Sequence, residues 1–177
     1  MLNVGCGDYR LDGWVNLDAD PATPADVHAD ATVYLRDCPD AAFAEVYAGH
    51  FLEHLTPEDA RRFLAECYRV LEPGGTCAIV VPDTYEVLRR YVARREDPLL
   101  IEGRWWTTAD LDDICAMFLY APIQATPHRW SWDIDTLSRA LGRAGFGRIR
   151  EIDRYTDPRL AAPAWFQCGA EGIKEEA

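Results

Sequence analysis

The chain is nearly without lysine: Lys174 is the only one, and arginine supplies the rest of the 18 basic residues against 30 acidic ones. The resulting formal charge of −12 over 177 residues argues against a nucleic-acid substrate, because phosphate recognition needs a basic surface and draws its affinity from counterion release. The arginine pairs Arg61-Arg62, Arg89-Arg90 and Arg94-Arg95 fall in helical contexts and read as solvated faces. No apolar run approaches the roughly 18 residues of a membrane span, and no basic segment leads into a signal-like stretch. A cytoplasmic protein without a membrane partner is therefore expected. C-x-x-C pairs are also missing. The six cysteines, Cys6, Cys38, Cys67, Cys77, Cys115 and Cys168, are scattered and several lie inside apolar runs, so reduced, buried thiols are expected. The length suits one domain, residues 1–177, burying roughly 70% of its unfolded surface.

The informative stretch runs from Leu2 to Asp18, Leu-Asn-Val-Gly-Cys-Gly-Asp-Tyr-Arg-Leu-Asp-Gly-Trp-Val-Asn-Leu-Asp. An apolar run ends in a glycine pair and a second apolar run ends in an acid, the way a doubly wound α/β sheet opens an adenosine site at the carboxyl ends of its strands. Gly5, Cys6 and Gly7 form the turn, where a ligand approaches the backbone because glycine carries no Cβ. Asp18, with Ala19 beside it, would accept hydrogen bonds from both ribose hydroxyls. The third glycine of the dinucleotide fingerprint is absent. Only Asp8 to Gly13 separate Gly7 from Trp14, too few residues for the crossover helix that holds a pyrophosphate, and the acid arrives earlier than the roughly 20 residues that a dinucleotide site expects. A nucleoside without phosphate fits better. S-adenosylmethionine is such a ligand, with Arg10 available for its carboxylate.

Four motifs in order, Leu-Asn-Val-Gly-Cys-Gly, Gly-Trp-Val-Asn-Leu-Asp, Phe-Leu-Glu-His-Leu and Arg-Val-Leu-Glu-Pro-Gly-Gly, resemble the class I S-adenosylmethionine-dependent methyltransferases, in the short variety lacking a first helix. The resemblance covers residues 2 to about 152. Asn3 stands where an acid is common in that class, and Tyr9 where a third glycine is usual. It implies a Rossmann-like, doubly wound seven-stranded sheet, mostly parallel with an antiparallel edge strand. It also implies that Asp30 meets the adenine amino group and the Ala31 N–H a ring nitrogen; the alternative for Asp30 is an ordinary cap or turn carboxylate.

Further along, Ala44–Ala48 reads as a strand closed by Gly49. Thr56-Pro57-Glu58-Asp59 starts a helix, with a threonine cap, proline in the first turn and acids at the positive end of the dipole. Phe63, Leu64, Cys67, Val70 and Leu71 recur at helical spacing until Pro73-Gly74-Gly75. A strand over 76–81, a helix over about 84–95 with Val87, Leu88, Tyr91 and Val92 inward, a helix over 135–144, and strands over 148–152 and 164–169 complete the pattern. The last two are expected to pair antiparallel at the sheet edge. Residues 97–133 concentrate Trp105, Trp106, Phe118, Tyr120, Trp130 and Trp132, with a short helix start at Asp110–Asp113. They read as an aromatic-rich insertion or lid; core or lid packing is the commoner role of such residues, and a substrate wall the other. Little chain precedes the first strand, so a partner subunit or a later segment is expected to cover that side, and a homodimer is compatible with this.

His50-Phe51-Leu52-Glu53-His54 matches the inverted zinc-protease signature H-x-x-E-H. That chemistry needs both histidines on one helical face. Here the pentapeptide follows a strand and precedes the Thr56 helix start, so a zinc hydrolase through His50, Glu53 and His54 is a distant alternative and no metal is expected. Glu53 and His54 are expected to anchor the next helix. In the methyltransferase reading His50 lies where the methionine moiety and acceptor meet, its alternative being a hydrogen-bonded histidine that fixes the loop. His128, just before the 135–144 helix, is the second candidate base. The expected reaction is methyl transfer to an oxygen or nitrogen of a small-molecule acceptor. The rival is a non-catalytic module that binds S-adenosylmethionine alone.

Overall fold

The strand order follows from chain connection rules. The computed structural model describes residues 1–93, 99–101, 104–106, 128–160 and 165–175. Strands β1 (Leu2–Val4), β2 (Val15–Asp18) and β3 (Val27–His28) step outward in one direction, and after helix α1 (Ala31–Asp37) the chain returns to place β4 (Phe43–Gly49) on the other side of β1. Helix α2 (Pro57–Val70) leads to β5 (Leu71–Pro82), and α3 (Thr84–Ala93) follows it. A hairpin of β6 (Leu99–Ile101) and β7 (Arg104–Trp106) precedes α4 (Ile134–Arg143), β8 (Gly147–Glu151) and β9 (Gln167–Ile173). The sheet has seven strands in the order β3-β2-β1-β4-β5-β9-β8. β1 to β5 pair in parallel, while β9 runs antiparallel to both β5 and β8 at the edge.

Right-handed crossovers put connections that step one way on one face and those that step the other way on the opposite face. Helices α1, α2 and α4 accordingly share one face, where Leu35, Phe63, Leu64, Leu137 and Leu141 bury against Leu2, Val4, Val46, Ala48, Ile79 and Val81. The period of two sends Tyr47, Ala78 and Val80 to the other face. There the β1–β2 connection is too short for a helix, and Leu11, Trp14, Ile152 and Leu160 cover the strands instead. Asn3 explains how so short a loop is held. Its Nδ2 donates to the Tyr9 carbonyl at 3.1 Å and to Asn16 Oδ1 at 3.0 Å. Asn16 in turn binds both backbone groups of Leu11. These buried amides do work that a carboxylate could not, because a carboxylate has no proton to donate.

The α2 start is as expected: Thr56 Oγ1 accepts from the Asp59 N–H, and Pro57 opens the first turn. Helix α1 was not apparent in the sequence, since its run Ala-Thr-Val-Tyr-Leu-Arg-Asp is too short to display a period. β5 extends back through Pro73-Gly74-Gly75, and its pairing with β4 shifts register after Phe43. In α3, Val87 is buried but Leu88 is exposed, contrary to the expected stripe. The expected helix start at Asp110–Asp113, the aromatics Phe118 and Tyr120, and Cys115 lie outside the described residues. No helix among the described residues is long and apolar enough to cross a membrane.

Candidate active site at the switch point of the sheet

The crevice where an open α/β sheet reverses its winding is the general location for ligands, and here it lies between the carboxyl ends of β1 and β4. Gly5 and Gly7 both hold the left-handed conformation, with φ of +65° and +51°. They differ in surroundings. A Cβ on Gly5 would stand 2.7 Å from Phe51 Cδ2, whereas one on Gly7 would meet nothing within 4 Å. Gly5 thus locks the turn against the β4 exit, and Gly7 opens onto free space. Cys6 is buried between them with its thiol toward the Gly7 carbonyl at 3.4 Å, and burial raises its pKa.

Asp18 ends β2 opposite this turn. Its Oδ2 accepts from the Gly7 N–H at 2.8 Å and its Oδ1 from the Asp20 N–H at 2.9 Å. A carboxylate has about four acceptor positions, so two bonds leave capacity for hydroxyls. Ala19 is exposed in the bend that follows. Asp30 caps α1, its Oδ1 accepting from Thr32 N, Thr32 Oγ1 and Val33 N. The Thr32 hydroxyl bond is the main reason its carboxyl lies below the ordinary value. Ala31 is the first residue of that helix, where backbone N–H groups have no partner within the helix. Arg10 stands differently from its expected role: its guanidinium donates to Asp26 Oδ1 and to the Pro24 carbonyl, both at 2.6 Å. It ties the β1–β2 loop to the segment before β3. An open glycine, a carboxylate with spare acceptor capacity and a helix start fit a nucleoside ligand.

The second half of the site follows β4. His50 also has a positive φ, 54°, and its N–H donates to the Val80 carbonyl at 2.8 Å. That corner turns the imidazole so that Nε2 lies 3.1 Å from Gln167 Oε1 and Nδ1 lies 3.5 Å from Glu53 Oε1. The His50 side chain is 42% exposed, whereas that of Glu53 is 2% exposed. Neither carboxylate oxygen of Glu53 has a hydrogen-bond partner among the described residues. Residues 52–54 form one short 3₁₀ turn, so His50 and His54 do not share an α-helix, as the sequence position indicated.

Glu53 and His54 do not anchor α2, which Thr56 and Asp59 cap by themselves. They engage a distant segment. The Arg129 and Trp130 N–H groups donate to the Glu53 carbonyl at 2.8 and 3.2 Å. His128 is thereby set edge-on to His54, with ring centroids 5.0 Å apart. One ligand atom from each of Glu53, His54 and His128 lies within 4.8 Å of the others. Burial holds the His128 pKa below its ordinary value, with Glu53 opposing that shift. The sequence offers His50 and His128 as the candidate bases, with His50 and His54 together only in the distant zinc alternative; the structure sets His128 against His54. Gln167 carried no signal beyond being a polar residue at a strand start.

Comparison with known proteins agrees with this geometry. A family model described as "Methyltransferase domain" matches residues 9–79. No curated protein matches the sequence. Among solved structures, an S-adenosylmethionine-dependent methyltransferase from Archaeoglobus fulgidus is 17% identical, with 98% of this chain and 85% of that one covered at a TM-score of 0.63. A methyltransferase from Thermotoga maritima is 14% identical over 98% and 81% of the two chains, at a TM-score of 0.64. Phosphoethanolamine N-methyltransferase 2 from Haemonchus contortus, in complex with S-adenosyl-L-methionine, is 12% identical over 99% of this chain and 48% of that one, at a TM-score of 0.59. The structural likenesses establish the shared fold, and the domain match runs from the β1–β2 connection into β5. The chain therefore has the fold of these S-adenosylmethionine-dependent methyltransferases and matches a methyltransferase-domain model over residues 9–79.

Proposed function

We propose that the protein methylates an oxygen or nitrogen of a small molecule, with His50 as the base that accepts the acceptor's proton. The observation carrying this reading is the position of His50: partly exposed at the exit of β4, directly before the Phe51 that meets the glycine turn, with Nδ1 3.5 Å from the buried carboxylate of Glu53. S-adenosylmethionine, when bound, supplies an activated methyl group on its sulfonium. Asp18 and the Gly5–Gly7 turn hold the nucleoside, and Asp30 with the Ala31 N–H faces the base. Arg10 joins the carboxylate of the amino-acid end only by exchanging its bond to Asp26.

Most of the rate in such a transfer comes from holding the nucleophile in line at about 3–3.5 Å. A base adds roughly 10²–10⁴ when the attacking group must lose a proton. Both ring nitrogens of His50 face acceptors, Nδ1 the Glu53 carboxylate at 3.5 Å and Nε2 the Gln167 Oε1 at 3.1 Å, so Nε2 takes up the acceptor's proton only when its contact with the amide oxygen opens. His128 is the less suited of the two candidate bases, because it packs against His54. The net negative charge argues against nucleic acid.

The test is release of S-adenosylhomocysteine over a panel of small hydroxyl and amine acceptors. Wild type is expected to turn over at least one of them, with a rate that depends on pH. His50→Gln should lose roughly 10²-fold or more in kcat and keep cofactor binding. Cofactor binding without turnover of any acceptor would instead support the binding-module reading. A flat pH profile unchanged by the substitution would remove His50 from the mechanism.

A further inference from the structure

The buried carboxylate of Glu53 is more than a histidine anchor requires. It is 2% exposed, its two oxygens lack hydrogen-bond donors among the described residues, and two further imidazoles converge on it. A bare ion in that position is costly unless a positive charge meets it. We propose that Glu53, His54 and His128 bind a divalent transition-metal ion of the zinc type. Two histidines and one carboxylate are a familiar zinc donor set, with a fourth position left for water or a substrate oxygen.

The geometry is close to what such an ion needs. Zinc sits about 2.0–2.2 Å from each nitrogen or oxygen ligand, which places tetrahedral ligands roughly 3.3–3.6 Å apart. The three donor atoms here lie within 4.8 Å of one another, so rotations about the side-chain bonds close the difference. The backbone is already fixed. The Arg129 and Trp130 N–H groups hold the Glu53 carbonyl, and the Trp132 carbonyl accepts from the Thr84 N–H at 2.9 Å, so the chain directly after His128 is fastened at two points. Such ligands are usually oriented by a second layer of hydrogen-bonding groups. His50 is placed to supply it: Nδ1 stands 3.5 Å from Glu53 Oε1, so that with the ion bound the carboxylate can face the metal with one oxygen and the imidazole with the other.

This site is not the hydrolase read from H-x-x-E-H. His50, the first histidine of that signature, is not a ligand, and the third ligand arrives from 74 residues beyond His54, brought in by the pairing of residues 129–130 with Glu53. The ion would join the chain after the aromatic segment to the β4 exit and present an open position beside His50. Metal-bound His128 is then unavailable as a base, which leaves that role to His50. The metal site itself does not depend on the acceptor reading.

The experiment uses the full, tag-free chain, stripped with a chelator and dialysed. Zinc is titrated by calorimetry and counted by elemental analysis, and cobalt is substituted to record its visible spectrum. We expect one zinc per chain, and ligand-field bands without a thiolate charge-transfer band. His54→Gln and His128→Gln should each weaken binding by on the order of 100-fold or more, since losing a ligand costs at least as much as losing its orienting partner. His28→Gln, on β3, should leave it unchanged. S-adenosylhomocysteine binding by each variant reports an intact fold, so that failure of Glu53→Gln to fold leaves the two histidine variants to decide. Absence of stoichiometric zinc, equal zinc affinity in His128→Gln, or a thiolate band from cobalt would each overturn the site, whether or not the protein methylates.

Discussion

Gly5→Ala and Gly7→Ala form a pair that separates the two functions of the glycine turn. Both residues have positive φ, so alanine at either pays a left-handed backbone penalty of about 1–2 kcal/mol. At Gly5 a second cost arises. The new methyl would come within 2.7 Å of Phe51 Cδ2, 3.1 Å of its Cβ and 3.2 Å of its Cγ, and the ring cannot retreat freely because it packs on Phe63 with centroids 5.0 Å apart. Overpacking of this kind costs about 1–3 kcal/mol. The total for Gly5→Ala is thus roughly 2–5 kcal/mol, against roughly 1–2 for Gly7→Ala. A domain of this size loses about 2–4 °C of melting temperature per kcal/mol, so Gly5→Ala should melt roughly 2–12 °C below Gly7→Ala. Phe51→Leu should recover part of that gap. The order should reverse for ligand affinity, because a methyl on Gly7 would enter the open space proposed for the nucleoside. Thermal melts with and without S-adenosylhomocysteine read both. Equal melting temperatures would show that the turn and the β4 exit are not in contact, and the site would have to be redrawn.

Other perturbations test separate parts. Asp30→Ser keeps an N-cap and drops the carboxylate, whereas Asp30→Ala drops both and should cost an additional ~1 kcal/mol of stability; if the serine variant restores stability but not cofactor affinity, Asp30 serves the adenine. Arg159 lies within 2.7 Å of Glu45, Asp157 and Glu171 and is 14% exposed, and Arg159→Gln should cost up to about 3–5 kcal/mol. Burial alone would raise the Asp157 and Glu171 carboxyls, but the Arg159 hydrogen bonds outweigh it and hold both below the ordinary range. That contribution is present above the unfolded-state pKa of about 4 and is lost as pH falls through the folded values. The deficit of Arg159→Gln, measured by denaturant titration, should therefore shrink on acidification; a pH-independent deficit would point to packing alone. Among the five described thiols only Cys38 is not buried, so it should react first with a disulfide reagent, and Cys67 and Cys77 only on unfolding.

Much of the architecture was readable because it rests on local rules. The Thr56-Pro57 start, the strand alternation around Tyr47 and Ala78, and the glycine turn followed closely by Asp18 each state a conformation within a few residues. Helix α1 escaped because seven residues do not reveal a period, and its cap, Asp30, was weighed chiefly for adenine. For Arg10 the sequence shows a cation near the turn, and only the fold shows that Asp26 and the Pro24 carbonyl engage it. The histidine grouping was least legible of all. What joins His128 to His54 is a pair of backbone bonds to the Glu53 carbonyl, and backbone bonds between distant segments leave no mark in residue type.

The most direct measurement of the central claim is calorimetric titration of S-adenosylhomocysteine into the wild-type chain and into Asp18→Ala, with Asp18→Asn as a milder control that keeps one acceptor oxygen. One site per chain is predicted, with affinity reduced roughly 10- to 150-fold in the alanine variant, as expected for losing charge-assisted hydrogen bonds of about 1.5–3 kcal/mol. No binding to the wild type, or equal affinity in Asp18→Ala, would contradict it.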